Sequence, residues 1–218
     1  MRELSKLALI LGVNMALAAC GGGGSDSSSG NGNNDGTTDS GNGGTQTNLT
    51  QEFGKWLTDM SDNHIEPGYQ SLLTKSEMLN LSVTNFCENS SASDSDLTAL
   101  QNDWRNAHQS WQSIQWLKVG PVIEKSRNFR FQFWPDSNDA VEKGVDSLLA
   151  RQEAVTAEYV SGRNVGAQGF PAMETLLFVD DSSTSLLTAD DKSKRCEVLS
   201  AVSQNVVNMS HEVVTAWS

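Results

Sequence analysis

Leu97-Thr98-Ala99-Leu100-Gln101-Asn102-Asp103-Trp104-Arg105-Asn106-Ala107-His108-Gln109-Ser110-Trp111-Gln112-Ser113-Ile114 is the stretch that decides the fold. Leu97, Leu100, Trp104, Ala107, Trp111 and Ile114 recur in steps of three and four, the spacing of one helix face. The positions between them are mostly polar or charged and suit the solvent side. The pattern predicts an amphipathic helix that must bury one face against another element. Ser93, Asp94, Ser95 and Asp96 offer N-caps before it, and Gly120-Pro121 stop the chain after it.

Two further stripes flank this one. Ile65, Tyr69, Leu72, Leu79, Val83 and Phe86 form the first, with Ser76 in the gap, on a helix expected to start near Leu49 and to kink or split at Pro67. Leu199, Val202, Val206, Met209, Val213 and Ala216 form the last, after Thr188-Ala189-Asp190-Asp191 in the manner of a capping box. No run of alternating apolar residues argues for a strand. The expected fold class is therefore all-α, an up-down helical bundle with helices packed at shallow angles.

The region between the second and third stripes is less regular. A short helix is expected over 123–129, then an aromatic-rich segment Phe131-Gln132-Phe133-Trp134-Pro135-Asp136, extended before the proline. Ser137 or Asn138 is expected to cap a helix running to about Arg151. A short helix follows over about 154–160, then one from about Val165 to Phe178, then a polar loop. In that last helix Pro171 suits a first turn, where a missing N–H costs nothing. Glu174 is expected in the same turn, facing the positive end of the helix dipole. Met173, Leu176 and Leu177 supply its apolar face.

The chain carries 15 lysines and arginines against 27 aspartates and glutamates, a net charge of −12. Arg2, Glu3, Lys6, Asp26, Asp35 and Asp39 are the charges before residue 48, so the acidic excess belongs to the part after it. Such a surface argues against nucleic acid or anionic lipid as the main partner.

Residues 1–20 read as a secretory signal: Arg2 and Lys6, an apolar run over 7–13, then Leu17-Ala18-Ala19-Cys20. The run is too short to span a membrane. Leu-Ala-Ala-Cys resembles the bacterial lipobox, which implies a diacylated Cys20 as the mature N-terminus; ordinary secretion is the alternative. Gly21, where an inner-membrane lipoprotein would carry Asp, implies the outer membrane, with the domain facing periplasm or cell surface. Several acyl chains, palmitate among them, anchor firmly where one does not. Residues 21–47 hold no aliphatic side chain and read as a disordered Gly/Ser/Asn tether, with a reach of about 30 Å. With Cys20 acylated, Cys87 and Cys196 are the pair left in an oxidising compartment and are expected to be bonded. Two separate buried thiols are the alternative.

Several segments resemble, in this order, the imelysin-like family of bacterial envelope proteins. They are Ile65-Glu66-Pro67-Gly68-Tyr69, Phe86-Cys87, residues 104–111, Gly120-Pro121, the segment 130–136, the segment 169–178, Arg195-Cys196 and Ala216-Trp217. The resemblance covers essentially all of 48–218. It implies an all-α fold of two related bundles, of which this chain supplies the first. The chain stops where the second is expected to begin, as a natural single-bundle form or as a fragment. The family is named for an insulin-cleaving activity, and its other implied role is in iron uptake. Its motif is Gly-x-His-x-x-Glu, where His and Glu share a helix face and could share a metal. Here Gly169 and Glu174 match and the His position is Pro171, which has no ligating side chain.

The candidate ligand-binding residues are Glu174, Arg130 and Asp136, the latter two matching the family's Arg…Trp-Pro-Asp pattern. A structural Arg–carboxylate network is the competing reading. Trp134 is read as core rather than as a ligand platform. His108 is read as a packing residue, and His64 and His211 form no metal-ligand pair. Asp180-Asp181 and Asp190-Asp191 suit caps and loops better than a hard cation. No catalytic residue is assigned. The expected function is a lipid-anchored, non-catalytic accessory in iron or other metal uptake. Its implied cofactor is iron or another metal ion, and its partners are the bilayer through Cys20 and an envelope protein. The alternatives are a metal-dependent peptidase of the imelysin type and a structural or interaction lipoprotein.

Overall fold

A computed structural model describes residues 43–178 and 184–217, with side chains from residue 48. The signal, the lipobox Cys20, most of the tether and Asp180-Asp181 lie outside the described residues. Eight α-helices follow one another with 3-10 and π turns between them, and there is no strand among the described residues. The chain divides into two compact units between His64 and Ile65.

The first unit contributes helix α1 (Gly43–Met60), which begins five residues inside the expected tether. Phe53 and Trp56 stack on it with ring centroids 5.9 Å apart. Leu49, Phe53 and Trp56 are exposed. A π-helical turn over Ser61–Ile65 follows.

The second unit is built on three long helices: α2 (Glu66–Glu88), α3 (Asp94–Ile114) and α8 (Lys192–Trp217). Pro67 sits in the first turn of α2, so the expected break occurs where a proline lacks nothing. Ser93 caps α3 in a full capping box with Asp96. The Asp96 carboxyl is held below the usual range by the Ser93 hydroxyl and N–H. α2 packs against both α3 and α8. The short turn between α2 and α3 makes them antiparallel. Cys87, at the end of α2, is bonded to Cys196 at the start of α8, with Cα atoms 5.6 Å apart. At the other end Tyr69 stacks on Trp217 at 6.4 Å, so α8 also runs antiparallel to α2.

The stripes are the core. Every member of the first two is buried, Ser76 included, and so are Leu199, Val202, Val206, Met209 and Val213 of the third. Burying one such large apolar side chain stabilises by about 1.5–3 kcal/mol. Ala216 is exposed, against expectation, while its neighbour Trp217 turns onto Tyr69 of α2. Conversely Val198, Ala201, Ser203, Asn205 and Ser210 are buried on other sides of α8. That helix packs on α2 and on the helices of the middle region, so it is covered from more than one direction. Thr188 does not cap it: its hydroxyl donates to the Thr184 carbonyl, and Asp191 instead accepts from Arg195 Nε at 2.9 Å.

The middle region holds α4 (Arg127–Phe131), α5 (Ala140–Leu149), α6 (Ala157–Ser161) and α7 (Gly169–Leu177). The helix expected over 123–129 is interrupted. Two 3-10 turns precede α4, and Lys125 and Ser126 take positive φ of 53° and 56°. The expected helix from Val165 to Phe178 is likewise two pieces, a 3-10 turn over Val165–Ala167 and then α7.

Candidate functional site

Helix α7 is positioned by α3. Trp104 Nε1 donates to the Phe170 carbonyl at 3.2 Å and Gln101 Nε2 to the Leu177 carbonyl at 2.6 Å, fixing the two ends of α7. The apolar residues Phe170, Met173, Leu176 and Leu177 point into the core. The helix starts at Gly169, whose φ is +72°. A Cβ there would lie 2.2 Å from the Arg130 carbonyl oxygen and 2.3 Å from that of Phe131. The motif glycine is therefore required by backbone contact with α4.

Glu174 is the sixth residue of α7, beyond its first turn, so it does not serve as a dipole-matched acid at the helix start. It is exposed, and among the described residues its carboxylate has no hydrogen-bond or ion-pair partner. Glu174 and Pro171 line a cleft of about 520 Å³, in the size range of small-ligand sites. Thr175 and Phe178 continue that wall, and Val141 and Glu142 on α5 with Gln132, Phe133, Trp134 and Asp136 of the strap over 132–136 form the rest.

The strap is fastened at both ends. Gln132 Oε1 accepts from Trp111 Nε1 at 2.9 Å and Gln112 Nε2 at 2.8 Å, which ties the strap to α3. Asp136 holds the other end. Its carboxylate accepts the N–H groups of Asn138 (3.4 Å), Ala140 (2.8 Å) and Val141 (2.9 Å). Asp136 is thus the cap of α5, in place of the expected Ser137 or Asn138. The bonds from Val141 and Ala140 hold its carboxyl below the usual range. Between these fastenings Trp134 stands 74% exposed over the cleft, so its reading as a core residue is corrected.

Arg130 is not among the residues lining the cleft. Its Nε donates to Gln168 Oε1 at 2.9 Å and an Nη to the Ser161 carbonyl at 3.2 Å. Gln168 is buried, and its Oε1 also accepts from Asn205 Nδ2 on α8 at 3.1 Å. Its Nε2 donates to the Arg163 carbonyl at 2.7 Å. This network joins α4, α7 and α8 through neutral amides, where the sequence suggested a carboxylate partner. Desolvation pulls the Arg130 pKa down from its ordinary value.

Of the three candidates the structure brings together Glu174 and Asp136, and leaves Arg130 in a separate network. Sequence reasoning missed Gln168 and Asn205; the Gly166-Ala167-Gln168-Gly169 run was the signal, since an amide between two close-packed glycines has no solvent face. It also missed Glu142, which looks like any solvated helix acid until α5 is placed. His108 packs, as expected. Its ring lies 4.7 Å from Trp104 and 5.3 Å from Phe170, with Nε2 near both Gln112 (2.8 Å) and Gln132 (3.2 Å).

A family model for imelysin matches residues 65–218, the unit that holds the bundle and the cleft. The chain belongs to the imelysin family. It is similar to a solved imelysin-like protein from Psychrobacter arcticum 273-4, at 24% sequence identity and a TM-score of 0.66. That match covers 75% of this chain and 49% of the other, so the chain spans about half the length of that solved relative; the likeness is one of fold. No curated protein matches the chain.

The metal that imelysin resemblance implies can be tested against the donors present. Pro171 supplies none, Asp136 spends both oxygens on backbone N–H groups, and Glu174 is left as a single carboxylate beside the exposed Glu142. Among the described residues no group of three or more His, Cys, Asp and Glu could hold a metal ion. This donor set does not fit a metal-hydrolase centre, which takes three protein ligands.

Proposed function

We propose that this imelysin-family chain is an envelope lipoprotein, anchored to the outer membrane through acylated Cys20, that serves iron or other metal uptake as a non-catalytic binding accessory. The observation that supports a binding role is the cleft. A helix opened by a glycine that tolerates no side chain presents an unpaired Glu174 opposite an exposed Trp134. An unpaired acid and a bare indole contribute little to folding, and both are ready to meet something else. The proline at the motif's His position supports binding without hydrolysis. No helix among the described residues is long and apolar enough to cross a membrane, so attachment in this reading belongs to the acyl chains.

The test is growth of a deletion strain under iron chelation. Wild-type protein should restore growth and cell iron, whereas Cys20→Ser and Glu174→Ala should not, although both accumulate as folded protein. Unchanged growth and iron content in the deletion strain would remove the uptake role. Chelator-sensitive digestion of insulin chain by the purified protein would replace it with a peptidase.

A further inference from the structure

We infer that the cleft receives a lysine or arginine side chain presented by a basic segment of a partner protein, an inference that rests on the reading of the chain as a binding accessory. The argument is charge and ring complementarity. Glu142 and Glu174 come from different helices, α5 and α7, and both face solvent at the cleft. Neither has an ion-pair partner among the described residues. No lysine or arginine lines the cleft. Lys143, next to Glu142, donates its Nζ to the Asn138 carbonyl at 2.6 Å and sets its charge near Asp136 rather than bonding either glutamate. Asp136 also lines the cleft, but its oxygens are committed to the α5 N-terminus and its charge is met by Lys143, so the attraction falls to Glu142 and Glu174.

The aromatic side chains decide between a metal ion and an organic cation. A bare divalent ion needs several oxygens at close range. The cleft offers two uncommitted carboxylates and the rings of Phe133 and Trp134, beside a Phe178 ring already covered by Arg105. Rings attract ammonium and guanidinium groups over their faces, Trp most strongly. This protein already uses that chemistry at the cleft's edge. The Arg105 guanidinium lies 4.8 Å over the Phe178 ring, on a residue that is itself cleft lining. A long basic side chain would lay its methylenes along Trp134 and place its charge between Glu142 and Glu174. Its segment would lie across the strap.

The test is calorimetric titration of the whole chain with tetralysine amide and with the same peptide acetylated on every Nε. The charged peptide should bind and the acetylated one at least about tenfold more weakly, the loss of one charge-assisted contact. Glu142→Gln with Glu174→Gln should weaken tetralysine by about tenfold or more, and Trp134→Ala by several-fold. All three changes are at exposed side chains and should leave the unfolding midpoint in place. Equal binding of the acetylated peptide, or no effect of the acid pair, would overturn the inference. So would binding of a single lysine amide as tight as the peptide, which would make the ligand a small molecule. Glu174-dependent binding of iron(II) without any peptide binding would also overturn it and leave the uptake role standing. Normal growth of the deletion strain, with tetralysine binding intact, would do the reverse.

Discussion

The three-helix frame of α2, α3 and α8 and the middle region over 120–178 are held together by different physics. In the frame, side chains repeat at three and four and bury carbon against carbon. Many residues contribute similar amounts, and each can be shortened at a graded cost. In the middle region few periodic contacts exist. Backbone meets backbone at Gly144, Gly166 and Gly169, a buried amide joins three helices at Gln168, and a carboxylate caps α5 across a gap of four residues. A fold of the first kind tolerates approximate sequences; one of the second kind depends on single atoms. The cleft is built from the second kind, carried on the first.

That contrast predicts an inversion of the usual size rule. Gly169→Ala adds one carbon, but at φ +72° and 2.2 Å from a carbonyl oxygen that neither chain segment can withdraw. It should cost more than about 4 kcal/mol, or abolish folding, in urea unfolding. Leu79→Ala removes three carbons from a fully packed position of α2 and should cost about 2–5 kcal/mol while leaving a cooperative transition. If the alanine at 169 is tolerated and the one at 79 is not, the two regions do not differ as described.

Acid should separate the regions next. Two carboxylates of α8 fasten the middle region. Glu197 accepts the Val155 N–H, and Glu212 accepts from the buried Arg127 guanidinium. Both are held below the ordinary glutamate range, Glu197 chiefly by the Val155 N–H and Glu212 chiefly by the Arg127 hydrogen bond. Because the folded values lie below the unfolded ones, this stabilisation is complete above the unfolded pKa near 4.3 and is lost as pH falls through the folded values. Hydrogen exchange should therefore show protection over 120–178 falling below about pH 4, before α2 and α3 lose theirs. Glu212→Gln should lower protection around Arg127 already at neutral pH and remove that part of its acid dependence. Simultaneous loss in both regions would mean that the frame and the middle unfold as one.

The same contrast explains what was legible in the sequence. The frame is legible in its stripes, Ala216 and the extra buried sides of α8 excepted, and the pairing of Cys87 with Cys196 in the reading of Cys20 as acylated, which leaves no other thiol. Periodicity reports burial, and burial is what those helices do. The middle region gave its proline and its glycine but not their purpose. Nothing local shows that Gly169 must meet the Arg130 carbonyl 39 residues away in the chain, or that Asp136 reaches past Ser137 and Asn138 to cap α5. Trp134 was misread because its hydrophobicity is visible in sequence and its position on a strap is not. Glu174 reads as a helix-start acid when Pro171 is placed at the first helical position; the helix begins two residues earlier, at Gly169, which puts Glu174 sixth. Arg130 reads as a ligand-binding candidate or, in the competing reading, as the partner of a carboxylate, and it meets the amide of Gln168 instead. The contacts of Gly169 and Arg130 join segments distant in sequence, whereas the cap from Asp136 and the start of α7 are local features that side-chain periodicity does not report.

The two acids of the cleft do different work: Asp136 caps α5, whereas Glu174 is exposed and, among the described residues, without a partner, as the proposed binding role requires. Urea unfolding of Asp136→Asn and Glu174→Gln, side by side with the wild-type chain at pH 7, tests it directly. Asp136→Asn should unfold at a lower midpoint, and Glu174→Gln should follow a curve within about 0.5 kcal/mol of wild type. A destabilised Glu174→Gln together with an unchanged Asp136→Asn would contradict it and make Glu174 a structural residue.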